Sequence, residues 1–304
     1  MTTPGIPNEY SLSTTCFGSR LSSIQDQIFA AVGMGFRRIE LGLAEIPPSM
    51  EGLEDSQRET GVRIPSVVAG CRDPLNGSMA VERLSSLVPE ETERALNSMR
   101  RHVRLASQWG CNTIVVRGSK TEDSGVRRAA LGLTLRLAKD PDDLDIHEEI
   151  LAFSQRVQKK SQKQVEQFCR SLFTLKQESP DTVIAVEPGR ELDDIIGFDS
   201  MGWMLDDLDG LMYWHDVGRI HLREKMGLPT QGQWLDSYAP RMCGIHLQDA
   251  SSVDAEMALG TGEVDFKGLG EYVPANAEKV VEIGPSHGRA EILASVQFLL
   301  DNGF

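Results

Sequence analysis

Short apolar runs alternate with longer amphipathic segments along most of the chain. Eight runs rich in Val, Ile and Leu have the length and composition of buried strands, at residues 10–16, 36–43, 62–69, 112–118, 182–187, 211–216, 242–247 and 279–283. Because strands that alternate with helices form βα units, this order predicts a parallel sheet.

The longer segments carry apolar residues at helical spacing. The clearest predicted helices are residues 24–33, 90–108, 148–178 and 290–300. Eight strands separated by helices can close into a barrel, and about 250 residues suffice for one. The predicted fold class is therefore α/β, a single (β/α)8 TIM barrel in which residues 1–304 form one domain.

Residues 119–145 interrupt this rhythm after the fourth predicted strand. The segment begins with a polar stretch and ends in an Asp-rich stretch that contains Pro141. Long segments after strands are often functional or irregular. We interpret this one as an insertion, which serves either as a lid or as a structural addition.

Composition limits the classes of partner. The chain of 304 residues has 31 Lys and Arg against 45 Asp and Glu, and its net charge of −14 repels nucleic acid and anionic lipid. The five cysteines include no closely spaced pair, so neither a disulfide framework nor a thiolate zinc site is indicated. The first ten residues lack a signal-peptide pattern, and no run reaches the ~18 apolar residues of a membrane span. We expect a cytoplasmic protein without a nucleic-acid or membrane partner.

Four metal-capable side chains end four successive predicted strands. They are Glu187, Asp216, His246 and Glu282, and successive members are 29, 30 and 36 residues apart. A βα unit takes about 30 residues, so each step returns the chain to the same level of the next strand. In a barrel, all four residues would lie at the carboxyl-terminal mouth, where barrel enzymes carry their active sites.

Alone, each of these residues would be an ordinary surface or core side chain. Three carboxylates around one point repel one another unless a cation lies between them. We therefore predict one divalent metal ion bound by all four residues. Oxygen ligands with one nitrogen favour Mn²⁺ or Mg²⁺, and Co²⁺ or Zn²⁺ also suit the set.

Motifs around these residues resemble those of the xylose isomerase-like TIM barrel superfamily. The runs are Val-Glu187-Pro-Gly-Arg, His-Asp216-Val-Gly-Arg, Ile-His246-Leu-Gln-Asp and Leu259-Gly-Thr-Gly-Glu. That superfamily includes sugar phosphate isomerases and epimerases and endonucleases of the apurinic-site type. The resemblance implies that the same four residues bind the ion and that Glu187 and Glu282 act as catalytic acid and base.

Two positions depart from the motifs of the sugar epimerases. Arg219 stands where a histidine often follows the strand-six aspartate, and Gln248 replaces a usual lysine. Because arginine binds carboxylate or phosphate in a forked geometry, Arg219 indicates an acidic substrate if it faces the mouth.

Further candidates for substrate binding lie at or just after strand ends. Arg190 follows Glu187 by three residues and could clamp an anionic group. Glu40 and Arg117 end strands two and four, where each could contact substrate or form a structural ion pair. The predicted substrate-binding residues are thus Arg219, Arg190, Arg117 and Glu40.

The sequence predicts a metal-dependent isomerase or epimerase that acts on a small carbohydrate, a sugar acid or a polyol-derived ketone. Proton transfer would pass through a metal-stabilised enediolate. Alternatives are a metal-dependent dehydratase or lyase of the same fold and a sugar-binding barrel without catalysis. An endonuclease is disfavoured because residues 67–71 and 115–119 lack the extra histidines of that group. The resemblance also suggests a homo-oligomer.

Overall fold

Eight parallel strands form a barrel. The structure, a computed structural model, describes residues 5–44, 46–70 and 80–304. The strands are β1 (Tyr10–Ser13), β2 (Ile39–Glu40), β3 (Ser66–Val68), β4 (Thr113–Arg117), β5 (Val183–Glu187), β6 (Met212–Asp216), β7 (Met242–Leu247) and β8 (Glu278–Val281). They pair in the order β2-β1-β8-β7-β6-β5-β4-β3. Isolated parallel bridges join Arg38 to Arg63 and Leu41 to Val67, so β2 meets β3 and the predicted barrel closes.

Helices separate most of the strands. They are α1 (Ile24–Met34), α2 (Leu53–Thr60), α3 (Pro89–Gln108), α4 (Ser124–Leu137), α5 (Leu144–Glu178), α6 (Phe198–Asp207), α7 (Val217–Lys225), α8 (Gln231–Tyr238), α9 (Phe266–Leu269) and α10 (Arg289–Asp301). Within the described ranges, no helix combines the length and the apolar character needed to cross a bilayer. Cys71 lies outside these ranges, and the other four cysteines form no disulfide.

Several strands are shorter than their apolar runs. The first run continues beyond β1, but residues Thr14–Arg20 turn into a 3₁₀ helix. Only two residues of the second run pair as β2. Helix α1 passes through Gly33 and ends at Met34, because Gly35 takes the left-handed conformation with φ 110°.

The insertion after β4 is largely helical. It contains α4 and the first two residues of α5, an unbroken helix of 35 residues. The side chains of Asp123 and Asp143 accept backbone hydrogen bonds from the first turns of these helices. Apolar residues of the two helices, including Leu133 and Phe153, pack in a buried cluster separate from the main core. The insertion therefore adds one helix, α4, which forms a helical hairpin with α5.

The buried cluster inside the barrel shows which side chains of the strands point inward. Val68, Val115, Ala185, Trp214 and Val280 come from five different strands and form one buried cluster. The Trp214 indole takes the space beside Gly244, where a Cβ would lie 2.2 Å from it. Because side chains alternate along a strand, residues two positions further on point toward the same interior.

Candidate metal centre

That alternation brings the predicted ligands together. Glu187, Asp216, His246 and Glu282 each follow an inward-facing position by two residues, and all four are completely buried. Glu282 lies one residue beyond β8, but its N–H still donates to the Leu247 carbonyl at 3.0 Å, which continues the strand pairing. The four groups therefore meet above the apolar interior of the barrel.

The imidazole of His246 lies at the centre of this group. Its Nδ1 is 3.1 Å from a Glu187 oxygen, 3.3 Å from a Glu282 oxygen and 3.8 Å from an Asp216 oxygen. Ligand atoms bound side by side to an ion at ~2.1 Å lie about 3 Å apart, so these separations suit a shared ion.

Two buried atoms at this point have no hydrogen-bond partner. They are Nδ1 of His246 and Oε2 of Glu282, which lie 3.3 Å apart. Oε1 of Glu187 instead lies 3.0 Å from Nε of Arg219. Buried polar atoms are normally satisfied, because an unpaired one costs about 1–3 kcal/mol. One cation could satisfy both atoms, and the nitrogen and oxygen donors are those that Mn²⁺, Mg²⁺ or Zn²⁺ accepts. These residues fit a divalent ion.

Glu40 contacts the opposite edge of the imidazole. Nε2 of His246 donates to the Glu40 carboxylate, whose two oxygens are both 3.0 Å away. The Ser66 hydroxyl donates to the same carboxylate at 2.8 Å. With an ion bound, a neutral imidazole with its proton on Nε2 would present the Nδ1 lone pair to that ion.

Two arginines balance part of the negative charge. Arg117 contacts Glu187 and Glu282, while Nε of Arg219 is 3.0 Å from both Glu187 and Asp216. With Glu40, Glu187, Asp216 and Glu282 ionised and His246 neutral, as in a metal-bound centre, the two guanidinium groups would leave two negative charges, which one divalent ion would neutralise.

The same charges shift the acidities of the cluster. Burial acts to raise the pKa of Glu187, but the charges of Arg117 and Arg219 outweigh it and hold that pKa well below its usual range. Burial and the neighbouring Glu187 charge raise the pKa of Asp216 to about 7. Burial acts to lower the pKa of His246, but the surrounding carboxylates raise it well above its usual range.

Gln248 links Asp216 to the loop after β7. Its amide nitrogen is 2.9 Å from both oxygens of Asp216, and its carbonyl oxygen accepts from the Glu256 N–H at 2.6 Å. Glu256 has a φ of 61°, a left-handed conformation that costs a residue other than glycine about 1 kcal/mol or more. The Gly284 N–H also donates to the Glu256 carbonyl at 2.7 Å. The strained residue is thus fixed on both sides.

A cavity of about 300 Å³ opens above the cluster. Arg117, Arg190, Arg219 and Glu256 contribute to its lining, together with Asp194. Glu40 is completely buried and does not contribute to this lining.

Asp194 approaches the backbone of two strand-end glycines. A Cβ on Gly189 would lie 1.6 Å from the Asp194 carboxylate, and one on Gly118 would lie 2.5 Å from it. Glycine is therefore required at both positions. Burial raises the pKa of Asp194 to about 7, although the charge of Arg223 opposes the shift.

The predicted site residues thus separate into three groups. The four predicted ligands all lie around His246, but their ligand atoms form two groups that could hold an ion, Glu187 with Asp216 and His246, and Glu282 with His246 and Glu40. Three predicted substrate-binding arginines, Arg117, Arg190 and Arg219, line the cavity. Glu40 is brought to His246 rather than to the cavity.

The sequence did not single out Ser66, Asp194 or Glu256. Gly118 and Gly189, just after β4 and β5, were the one available signal that a side chain approaches closely there.

Comparison with known proteins defines the fold. No protein-family model matches the chain, and no curated protein matches it. Among solved structures, 3-keto-D-glucoside 4-epimerase YcjR from E. coli has 16% identity, covering 97% of this chain and 100% of its own, with a TM-score of 0.65. A xylose isomerase domain-containing protein from Salmonella typhimurium has 14% identity, covering 98% and 100%, with a TM-score of 0.65. The IolI protein, whose structure holds a zinc atom, has 12% identity, covering 96% and 95%, with a TM-score of 0.58.

These similarities extend over the whole barrel. The chain shares the (β/α)8 TIM-barrel fold of these solved structures, which is the fold that its sequence predicted.

Proposed function

We propose that this protein is a divalent-metal-dependent isomerase or epimerase of a sugar or a sugar-derived ketone. The observation that carries the proposal is the approach of three buried carboxylates to Nδ1 of His246, which has no hydrogen-bond partner, like the Glu282 oxygen beside it. The sugar epimerase and the zinc-containing protein of the same fold support the reaction class and the metal.

Glu187, Asp216, His246 and Glu282 would hold the ion. Their donor set suits Mn²⁺ or Mg²⁺, and Co²⁺ or Zn²⁺ are alternatives. A divalent ion held by these residues would supply Lewis-acid chemistry, which polarises a carbonyl and stabilises negative charge on oxygen. Glu40 and Gln248 are positioning residues in this proposal, because they orient His246 and Asp216.

Glu187 and Glu282 would transfer the proton. Both are buried carboxylates, and Arg117 contacts both of them. This shared guanidinium keeps both groups ionised, which is the form that would accept a proton from the carbon beside the carbonyl. In an epimerase, one carboxylate removes the proton and the other returns it to the opposite face.

The chain would act as a single barrel domain in the cytoplasm on a small carbohydrate. We also propose self-association, for which sedimentation of the purified protein is the measurement.

The test is proton exchange. Wild-type protein reconstituted with Mn²⁺ is incubated in D₂O with a panel of ketoses, inososes and sugar acids, and deuterium at the carbon beside the carbonyl is followed by NMR. Wild type is expected to exchange at least one compound. Absence of exchange with every compound would contradict the proposal.

Two matched variants assign the roles. Glu282→Gln and Glu187→Gln keep side-chain volume but remove the base, so each is expected to abolish exchange while circular dichroism stays unchanged. Exchange at the wild-type rate in both variants would reject the assignment. Product mass separates the alternatives, because isomerisation conserves mass and a dehydratase releases water.

A further inference from the structure

The cavity above the metal cluster carries an excess of cationic donors. Arg117, Lys120, Arg190 and Arg219 all line it. Its volume of about 300 Å³ lies at the lower end of the range for ligand sites, ~300–1,000 Å³. It therefore suits one small polyhydroxy compound.

Arg117 and Arg219 use only part of their donor capacity on the cluster. Arg219 contacts the carboxylates through Nε, and Arg117 uses Nε and Nη2. Within the described residues, neither Nη of Arg219 nor Nη1 of Arg117 has a hydrogen-bond partner, and none is enclosed as a buried unsatisfied atom. The side chains are 15% and 12% exposed, so their free donors face the cavity.

The acidic residues of the cavity do not pair with the free donors of Arg117 and Arg219. Glu191 is paired with Arg190 at 2.7 Å. Asp194 is buried against Gly118 and Gly189, and burial raises its pKa to about 7. Glu256 remains as a carboxylate that can accept a hydrogen bond from a substrate hydroxyl.

The balance of charge allows an anion to enter. With a divalent ion among the carboxylates, the two guanidinium groups make the centre neutral. An incoming oxyanion would then meet unpaired guanidinium donors rather than net negative charge, and arginine binds carboxylate and phosphate through such forked donors.

We propose that the substrate carries an oxyanion group next to its reacting carbonyl and that Arg117 and Arg219 bind this group. This inference rests on the proposed function, because it assumes that the same centre holds the carbonyl. A carboxylate and a phosphate ester share the required chemistry, and the experiment below separates them.

The test uses three compounds that differ at C1 of one ketose skeleton. D-Fructose has a hydroxymethyl group there, 2-keto-D-gluconate has a carboxylate, and D-fructose 1-phosphate has a phosphate ester. Isothermal titration calorimetry on Mn²⁺-loaded protein measures the three affinities. At least one anion is expected to bind about tenfold or more tightly than fructose. The anion that binds more tightly shows whether the site prefers a carboxylate or a phosphate ester.

Arginine variants separate the guanidinium contribution from chelation of the ion. Arg219→Gln and Arg117→Gln are expected to lose most of the preference, whereas Arg219→Lys keeps the charge without the fork and retains part of it. Arg58→Ala is the matched control, because Arg58 is exposed and pairs with Asp55. Circular dichroism and bound Mn²⁺ are measured for every variant to confirm folding and metal loading.

Equal binding of fructose and both anions would overturn the inference, as would binding of neither anion or a full preference in both glutamine variants. These measurements do not depend on turnover. An anion preference without proton exchange would therefore support this inference and reject the proposed reaction. Proton exchange without an anion preference would support the proposed reaction and reject this inference.

Discussion

His246 and Glu40, which are 206 residues apart in the chain, are joined by a hydrogen bond inside the barrel. Nε2 of the imidazole donates to a carboxylate whose two oxygens are each 3.0 Å away. This contact leaves Nδ1 free to face Glu187, Asp216 and Glu282, so the ligand set depends on a residue from the other side of the barrel.

Replacement of this carboxylate is expected to weaken metal binding. Glu40→Gln removes the charge that makes His246 a more basic ligand, and loss of such a partner typically lowers metal affinity 10–100-fold. Competition titration with a metal indicator measures the change. Ser66→Ala, which removes only the second contact of Glu40, should have the smaller effect; equal affinity in Glu40→Gln and wild type would exclude this role.

Removal of the ion is expected to destabilise the protein. Metal that binds only the folded state adds about 2.7 kcal/mol at a concentration of 100 times its Kd, which corresponds to a Tm increase of roughly 4 °C for a chain of this size. Differential scanning calorimetry with Mn²⁺ and with chelator checks this. His246→Gln should lose the response, and a wild-type Tm that is the same in both conditions would contradict a structural contribution of the ion.

Relief of the strain at Glu256 is expected to stabilise the fold. Glycine adopts a φ of 61° without the steric penalty, so Glu256→Gly should increase the free energy of unfolding by about 1 kcal/mol. Glu256→Ala removes the same carboxylate but keeps the penalty, which makes it the control. Urea denaturation compares the two, and a glycine variant no more stable than the alanine variant would show that the loop does not store this strain.

The pH dependence of stability is expected to change in Asp194→Asn. Because the folded-state pKa of Asp194 is about 7 and its ordinary value is 3.8, ionisation disfavours the folded state. Its contribution to stability is present below about pH 4 and is lost as pH rises to about 7, at ~1.4 kcal/mol per unit of pKa shift.

Urea denaturation at several pH values measures this effect as the difference between wild type and Asp194→Asn. Subtraction removes the titration of Asp216 and of the other groups that both proteins share. The difference should move in favour of the asparagine variant as pH rises, and a constant difference across this range would contradict the assigned pKa.

The proximity of the candidate ligands could be predicted because strand ends obey a simple geometry. Spacing near that of one βα unit placed Glu187, Asp216, His246 and Glu282 at one level, and the structure brings their ligand atoms together. The same apolar runs predicted all eight strands, although β2 is only two residues long. The length of β2 is limited by how it meets β3 when the barrel closes, and the sequence of the strand alone does not show this.

The contacts of Glu40 and Glu256 could not be derived from local sequence. Glu40 reaches His246 because of the barrel's closure, and the left-handed φ of Glu256 depends on hydrogen bonds to Gln248 and Gly284. In the sequence, Gln248 is notable only because it replaces a usual lysine. In the structure, its amide nitrogen lies 2.9 Å from both oxygens of Asp216. Such roles depend on which distant segments meet.

The junction between β2 and β3 has a mechanical consequence. Its pairing consists of isolated bridges, and Glu40 on one side and Ser66 on the other share a hydrogen bond at 2.8 Å. A cation bound by His246 would therefore stabilise the pairing of β2 with β3, because His246 is hydrogen-bonded to Glu40 and Glu40 to Ser66. Slower amide hydrogen exchange at Leu41 and Val68 on metal addition would register that stabilisation directly.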